Sequence, residues 1–255
     1  MSDTILGYGK SEFVLPFVMH LGGRMASHQE IMDNTSVPVA VSGITKTIIP
    51  DLARRRGLDW YYIDSGYLGN GMYKVWFRVT KNAYQNASAI QNRSNLRLRH
   101  LHLDRTRYKR GRSIMLVPPD AKVADTFRLG SAEQWTTDMT HAIKQFTDRP
   151  VTIRQRPPSR ELRQTSDRFV DALQQDVNAV VTYNSNCAVE AVMHGIPVVC
   201  LGESAAATMA QPLTQIDSLQ DLDADHIDAW LRHLSYCQFT KREMQSGACW
   251  RILHG

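Results

Sequence analysis

The chain has 255 residues, 43% of them hydrophobic and 22% charged, with 30 Lys and Arg against 25 Asp and Glu. That is too apolar for a disordered chain and too polar for a membrane-embedded one, and 15 Gly and 10 Pro without a period exclude a collagen-like fibre. The length suits one large domain or two small ones, each able to bury its own core.

In chain order, Thr4–Tyr8 reads as a strand, and a turn at Gly9 leads into a helical apolar pattern from about Glu12 to Met25. Pro38–Gly43 is a second strand, followed by a helix from Ile48 to Arg56. Trp60–Asp64 is a third strand, stopped at Ser65-Gly66, and Tyr73–Thr80 has strand-like β-branched and aromatic content. Strand–helix alternation is the grammar of a parallel sheet with covering helices. After a basic stretch the grammar restarts. Ser113–Pro118 is a strand, and Ser131 caps a helix running to Phe146 with Glu133 in its first turn. Val151–Gln155 is a strand ahead of Pro157-Pro158, and a helix around Arg168–Gln174 precedes the strand Ala179–Tyr183. A helix from about Asn186 to His194 is closed by Gly195, Pro197–Gly202 is the next strand, and helices near Asp225–Tyr236 and Lys241–Ile252 follow. The expected fold is α/β with two Rossmann-like halves, residues 1–92 and 113–255, joined by a basic connector over 93–112. The cleft between the halves is the expected ligand site.

The four cysteines, Cys187, Cys200, Cys237 and Cys249, show no C-x-x-C spacing and have no His at zinc-site spacing. They read as small core residues in a reducing cytoplasm, and no obligatory metal is expected. Met1–Thr4 lacks the basic and apolar regions of a signal peptide, and no apolar run approaches the roughly 20 residues that span a bilayer.

The charge is concentrated. Arg93, Arg97, Arg99, Arg105, Arg107, Lys109, Arg110 and Arg112 are opposed within their own stretch by Asp104 alone. Their net +7 against the whole chain's +5 leaves the remainder at −2. Arg dominates, and its fork matches phosphate oxygens two at a time, so the stretch reads as a footprint for a polyanion; a solvated linker is the plainer alternative.

The most informative segment is Val181–Cys200. A strand delivers Asn184 and Ser185 to a turn, and the helix that follows is expected to offer unpaired backbone N–H groups to a diphosphate. Glu190, further along that helix, is placed for a ribose or sugar hydroxyl, and Gly195-Ile196-Pro197 turns into a buried strand. This segment resembles the donor half of GT-B glycosyltransferases, in the capsule-polysaccharide and Kdo-transferase-like branch. The matching positions are Asn184, Ser185, Glu190, Ala191, Gly195, Pro197 and Val198. Nucleotide binding by Ser185 and Glu190 is what the resemblance implies. A second partial match, Val151–Pro157, resembles the family's strand ending in Lys-x-His-Pro, but Arg154 and Arg156 stand where Lys and His are expected. The tail Thr240–Gly247 with Trp250 is a looser match, so the resemblance spans the chain from Ser113 onward and is specific over Asn184–Val198. A Rossmann-like unit that binds nothing and a sugar-nucleotide epimerase share part of this pattern.

The first half offers weaker candidates. Asp64 closes a strand and is the candidate base for an acceptor hydroxyl, although ordinary turn chemistry also explains Asp-Ser-Gly; His20 and His28 are alternatives. Arg78, in the aromatic and cationic run Tyr73–Tyr84, and Lys10, after Gly7-Tyr8-Gly9, are candidate acceptor contacts together with Arg97, Arg99, Arg105 and Arg107. The expected activity is transfer, inverting or retaining, of a sugar from a nucleotide sugar, with a uridine-diphosphate sugar as the expected donor and no cofactor. Asn184 and Ser185 would meet the phosphates, Glu190 the ribose, and Arg154 and Arg156 the diphosphate leaving group. The compact chain and its arginines are also similar to the DNA-modifying glycosyltransferases of bacteriophages. That resemblance implies double-stranded DNA as partner, a flipped hydroxymethylpyrimidine as acceptor, and the host cytoplasm as location. A polysaccharide or lipid-linked glycan acceptor is the alternative, and a non-enzymatic nucleic-acid-binding protein the third reading.

Overall fold

The computed structural model describes residues 4–44, 48–70, 75–155 and 168–255. In chain order the elements are β1 (Leu6–Tyr8), α1 (Ser11–His20), β2 (Arg24–Met25), α2 (His28–Asp33), β3 (Val39–Val41), α3 (Ile48–Arg55), β4 (Trp60–Ser65), β5 (Phe77–Lys81) and α4 (Leu96–Arg99). There follow β6 (Ser113–Val117), α5 (Ala121–Thr126), α6 (Ala132–Lys144), β7 (Val151–Ile153), α7 (Phe169–Leu173), β8 (Val177–Thr182), α8 (Cys187–Met193) and β9 (Val198–Cys200). The chain continues through α9 (Ala224–Ser235), β10 (Gln238–Phe239), α10 (Lys241–Gln245) and α11 (Ala248–His254). It divides into two compact units, one of Met1–Asn86, Leu96–His102 and Leu234–Gly255, the other of Ala87–Asn95 and Leu103–His233. The C-terminal helices α10 and α11 therefore pack in the first unit, whereas their place in the sequence grouped them with the second half. Trp250 of α11 meets Tyr61 of β4 and Phe17 of α1, with ring centroids 5.6 and 6.1 Å away.

The first unit holds a sheet in the order β10-β5-β4-β3-β1-β2, in which β2, β1, β3 and β4 are parallel and β5 runs antiparallel to both its neighbours. The second unit holds a fully parallel sheet, β7-β6-β8-β9. Leaving out β5 and β10, each unit has the same plan: its first strand pairs with the second on one side and the third on the other, and the fourth lies outside the third. Such strands are covered on both faces, so the central ones are continuously apolar rather than alternating. All of β6 and all of β8 are buried.

The short elements α4, α5 and β10 were not expected, and the strand expected over Tyr73–Thr80 is Phe77–Lys81 among the described residues, which exclude Tyr73 and Lys74; three further differences have a clear local cause. The helix expected to reach Met25 stops at His20, because Gly22 takes a left-handed φ of +72° and the amides of Gly22 and Gly23 bond back to Met19 and Val18. The two residues left over, Arg24–Met25, pair beside β1. Close approach requires Gly23 there, since a Cβ would stand 2.2 Å from the Ile5 carbonyl oxygen. The last expected helix is two, α10 and α11, divided at Gly247 with φ +75°. A helix not expected, α2, is set by a capping box: Ser27 accepts from the Glu30 amide and Glu30 from the Ser27 amide. Gly23→Ala is expected to cost about 1–3 kcal/mol by forcing β2 away from β1. The measurement is a urea unfolding curve, and an unmoved midpoint would show that the Gly23 spacing is not needed.

Candidate functional site

In the second unit the chain leaves β6 for β7 on one side and later passes to β8 on the other. The loops after β6 and β8 consequently diverge, and open parallel sheets take ligands at the carboxyl ends of the strands around such a point. The ends of β6 and β8 are tied by a hydrogen bond from Thr182 Oγ1 to the Val117 carbonyl, 2.9 Å. After β6 come Pro118, Pro119 and Asp120, whose carboxylate caps α5 through the Val123 amide. After β8 come Tyr183, Asn184, Ser185 and Asn186.

The turn into α8 differs from the expected row of open N–H donors. Ser185 Oγ accepts from the Cys187 amide at 3.2 Å, and the Ser185 carbonyl accepts from Ala188 at 3.1 Å. A serine just before a helix competes for its first amides in this way. At the other end the helix closes as expected: Gly195 has φ +80°, its amide bonds to Val192 and that of Ile196 to Ala191.

Glu190 sits in the first turn of α8. Burial pushes its carboxyl up to about 6, and the nearby Arg154 guanidinium pulls the other way. Arg154 directly follows β7. Its amide donates to the Leu116 carbonyl at 2.9 Å, extending the ladder past the strand, and its guanidinium lies 5.9 Å from the Phe169 ring centroid. Arg154 and Glu190, expected separately from two motifs, are thus brought within electrostatic range of each other. Arg156 lies outside the described residues.

Sequence reasoning missed Tyr183. Its carbonyl accepts from the Gly202 amide at 2.9 Å, and a Cβ on Gly202 would meet its ring at 2.6–2.8 Å, so glycine lets the ring lie flat on the end of β9. Phe127 is 5.4 Å away between ring centroids. Burial, with Glu203 adding to it, raises the phenol above its ordinary value. The readable signal was an aromatic just past one strand and a glycine just past the next, close enough for the glycine amide to bond to the aromatic residue's carbonyl.

In the first unit the corresponding divergence lies between β1 and β3. Gly9 has φ +104°, and a Cβ there would stand 2.4 Å from the Ser42 carbonyl oxygen. The Lys10 amide donates to Ser42 Oγ at 2.7 Å, while the Lys10 side chain is exposed at the start of α1. Asp64, near the end of β4, receives hydrogen bonds from the Tyr62 hydroxyl (2.9 Å) and the Ser65 amide (2.7 Å) and an ion pair from Arg78 (3.3 Å). Arg78 is buried opposite Asp64 in the β4–β5 register, so its guanidinium serves this pair and is not presented outward as an acceptor contact.

Several cations of the basic stretch also find partners within the chain, some of them while still exposed. Arg97 donates to the carbonyls of Ser235 (2.9 Å) and Gln238 (2.6 Å), pairs with Glu243, and packs against the rings of Trp76, Tyr236 and Phe239. Arg105 pairs with Asp228 at 2.7 Å, Arg110 with Asp221 at 2.7 Å, and Arg112 with Asp176 at 3.0 Å. Arg107 bonds to the Leu222 carbonyl at 2.7 Å and lies over Gly195. Arg99 and Lys109 are exposed. Four of the eight cations are therefore paired with carboxylates from elsewhere in the chain.

The expectation of no metal passed over an Asp-x-Asp spacing at Asp221, Asp223 and Asp225. Asp221 is the partner of Arg110, and Asp223 accepts from the His226 amide at 2.8 Å at the head of α9. Among the described residues no group of three or more His, Cys, Asp or Glu is placed to hold a metal ion, and no helix is long and apolar enough to cross a membrane.

No protein-family model and no curated protein matches the sequence. Among solved structures, the KpsC beta Kdo 2,7 transferase of Thermosulfurimonas dismutans aligns with a TM-score of 0.53 over 99% of this chain and 99% of that chain, at 12% identity. The KpsC beta Kdo 2,4 transferase of the same organism aligns with a TM-score of 0.47 over 91% of this chain and 99% of that chain, also at 12% identity. The likeness to the first supports the fold: mixed α/β, with the two Rossmann-like units of the GT-B type.

Two stability measurements test this description. The unfolded chain loses the Glu190 proton near 4.5 and the folded chain near 6. Stability therefore falls as pH rises between those values and stays lower above them. Glu190→Gln is expected to be more stable than wild type at pH 8 by up to about 2 kcal/mol, with the advantage fading towards pH 4. A difference that does not change with pH would exclude burial of the carboxylate as its origin. Arg97→Met leaves Glu243 and two carbonyls without their cation, so thermal unfolding is expected to show a loss of about 3 kcal/mol; a loss under about 0.5 kcal/mol, the size for a surface site, would return Arg97 to the surface.

Proposed function

We propose that the chain is a glycosyltransferase that moves a sugar from a nucleotide-sugar donor to a hydroxyl acceptor. The observation that carries this reading is the meeting of Arg154 and Glu190 at the second unit's sheet, together with the Asn184–Ser185 turn at the carboxyl end of β8, in a fold of the GT-B type. In sugar transfer the bond from the anomeric carbon to the nucleotide's phosphate oxygen breaks, and negative charge grows on that oxygen. A fixed guanidinium at Arg154 stabilises that charge more in the transition state than in the bound donor, which raises the rate. Ser185 and Asn184 would orient the phosphates. Glu190, costly to bury, has its use as an acceptor of hydroxyl hydrogen bonds from the ribose or sugar. The flat Tyr183 ring offers a stacking face for a base. The acceptor's proton is assigned to Asp64 of the first unit.

For the acceptor we favour a glycan hydroxyl over a hydroxymethylated base in DNA. The DNA reading rested on the arginine stretch, and the internal pairing of Arg97, Arg105, Arg110 and Arg112 reduces that support. The test is nucleotide release from a panel of UDP-, GDP- and CMP-sugars, a Kdo donor among them, with oligosaccharide, lipid-linked glycan or hydroxymethylated DNA as acceptor. Release without any acceptor mass gain on DNA, and gain on a glycan, is the expected result. Arg154→Ala is expected to lower turnover at saturating donor by about 10²–10³-fold with folding intact. Release from no donor would overturn the enzyme reading, and a mass gain on DNA would overturn the acceptor.

A further inference from the structure

We propose that Arg78 and Tyr62 are positioning residues for Asp64, clamping its carboxylate from inside the first unit so that the group is presented in one orientation. The proposal rests on the reading that Asp64 meets the acceptor hydroxyl. Asp64 Oδ2 takes both clamps, the Tyr62 hydroxyl at 2.9 Å and Arg78 Nη2 at 3.3 Å. Oδ1 bonds to the neighbouring Ser65 amide at 2.7 Å. The exposures are unequal: the Asp64 side chain is 32% exposed, that of Arg78 only 8%. The cation is thus buried behind a carboxylate that reaches solvent.

Stability alone gives no reason for this arrangement. A buried ion pair recovers its desolvation cost only with close and complete hydrogen bonding. Here the contact is 3.3 Å, the second bond, to the Ser65 carbonyl, is 3.5 Å, and Arg78 Nε is buried without a hydrogen-bond partner. What holds the guanidinium is packing between two rings, with Tyr62 and Tyr67 centroids at 5.4 and 5.6 Å. Tyr67 is fixed in turn: its hydroxyl accepts from the Asn86 amide at 2.8 Å and its own amide donates to Gln238 Oε1 at 2.8 Å. Burial opposes the charge on Arg78, but Asp64, Tyr67 and Tyr62 more than offset it, and the guanidinium stays charged. The Tyr62 phenol is pushed up, by burial first and by the Asp64 charge second, so it remains a donor. Asp64 is thus faced by a permanent cation from β5 and, from β4 itself, by a neutral phenol, the Ser65 amide and the Ser65 hydroxyl at 3.4 Å.

The experiment follows the Asp64 carboxyl carbon by ¹³C NMR through a pH titration in wild type, Arg78→Met and Tyr62→Phe. Removing either clamp disfavours the carboxylate form, so the midpoint should rise, by about one pH unit for Arg78→Met and less for Tyr62→Phe. Tyr62→Phe deletes one oxygen and keeps the ring, so the test survives if Arg78→Met fails to fold. Midpoints that stay at the wild-type value overturn the proposal. Where turnover is found, the acid limb of kcat/KM should move up with the midpoint. A shifted midpoint with an unmoved limb, or with no turnover of any donor, keeps the clamp and overturns the role of Asp64 towards an acceptor, so the two failures are told apart.

Discussion

Parallel pairing is the constraint from which the rest of this structure follows. Two parallel strands cannot be joined by a tight turn; the chain must cross back over the sheet, and it does so with one hand. Every strand that obeys this rule ends on the same edge of its sheet. In the second unit that places Arg154, Pro118, Tyr183 and Gly202 just past four neighbouring strand ends, although they come from four distant stretches of sequence. The side on which each crossover lands then decides where the loops part, between β6 and β8 here and between β1 and β3 in the first unit. Candidate residues cluster at these points because the backbone hydrogen-bonding pattern allows few other concave places.

The recurrence of one strand plan in both units sharpens the contrast between them. At the parting in the first unit, Gly9 and Ser42 approach so closely that a side chain cannot fit between them. The corresponding loops of the second unit carry Pro118 on one side and Tyr183 to Ser185 on the other. The first unit also departs from pure parallel pairing by adding β5 and β10. That antiparallel addition sets Arg78 across from Asp64, a neighbour relation that crossover connections in the rest of the sheet would not produce.

Much of this was legible in the sequence, for a physical reason. Buried parallel strands read as unbroken apolar runs, aliphatic in β6 and β8 and aromatic in β4, and these three lie close to their expected limits, whereas β9 is only the middle of the expected Pro197–Gly202. Ser131 and Gly195 marked helix ends because each meets a backbone need that few other residues meet. What stayed hidden depends on partners remote in sequence. The arginine stretch shows net charge locally, yet the carboxylates that neutralise it lie 64 to 146 positions away. Tyr183 and Gly202 have meaning only as neighbours across the ends of β8 and β9. The turn at Ser185 was located correctly, but its hydroxyl takes the Cys187 amide and its carbonyl the Ala188 amide, a local geometry that no pattern encodes.

Glu190 and Arg154 show how the candidate site differs from the structural ion pairs around it. Arg112 and Asp176 meet at 3.0 Å on an exposed surface, where water already solvates both charges and the pair contributes little. Glu190 is partly buried, where Arg154 offsets only part of the desolvation cost and its carboxyl remains at about 6. Val189 and Val192 on the same helix are buried aliphatic side chains, whereas Glu190 is partly buried and keeps an ionisable group there. Glu190 thus carries a desolvation cost that the exposed surface pairs do not, and it lies within electrostatic range of a cation that follows another strand.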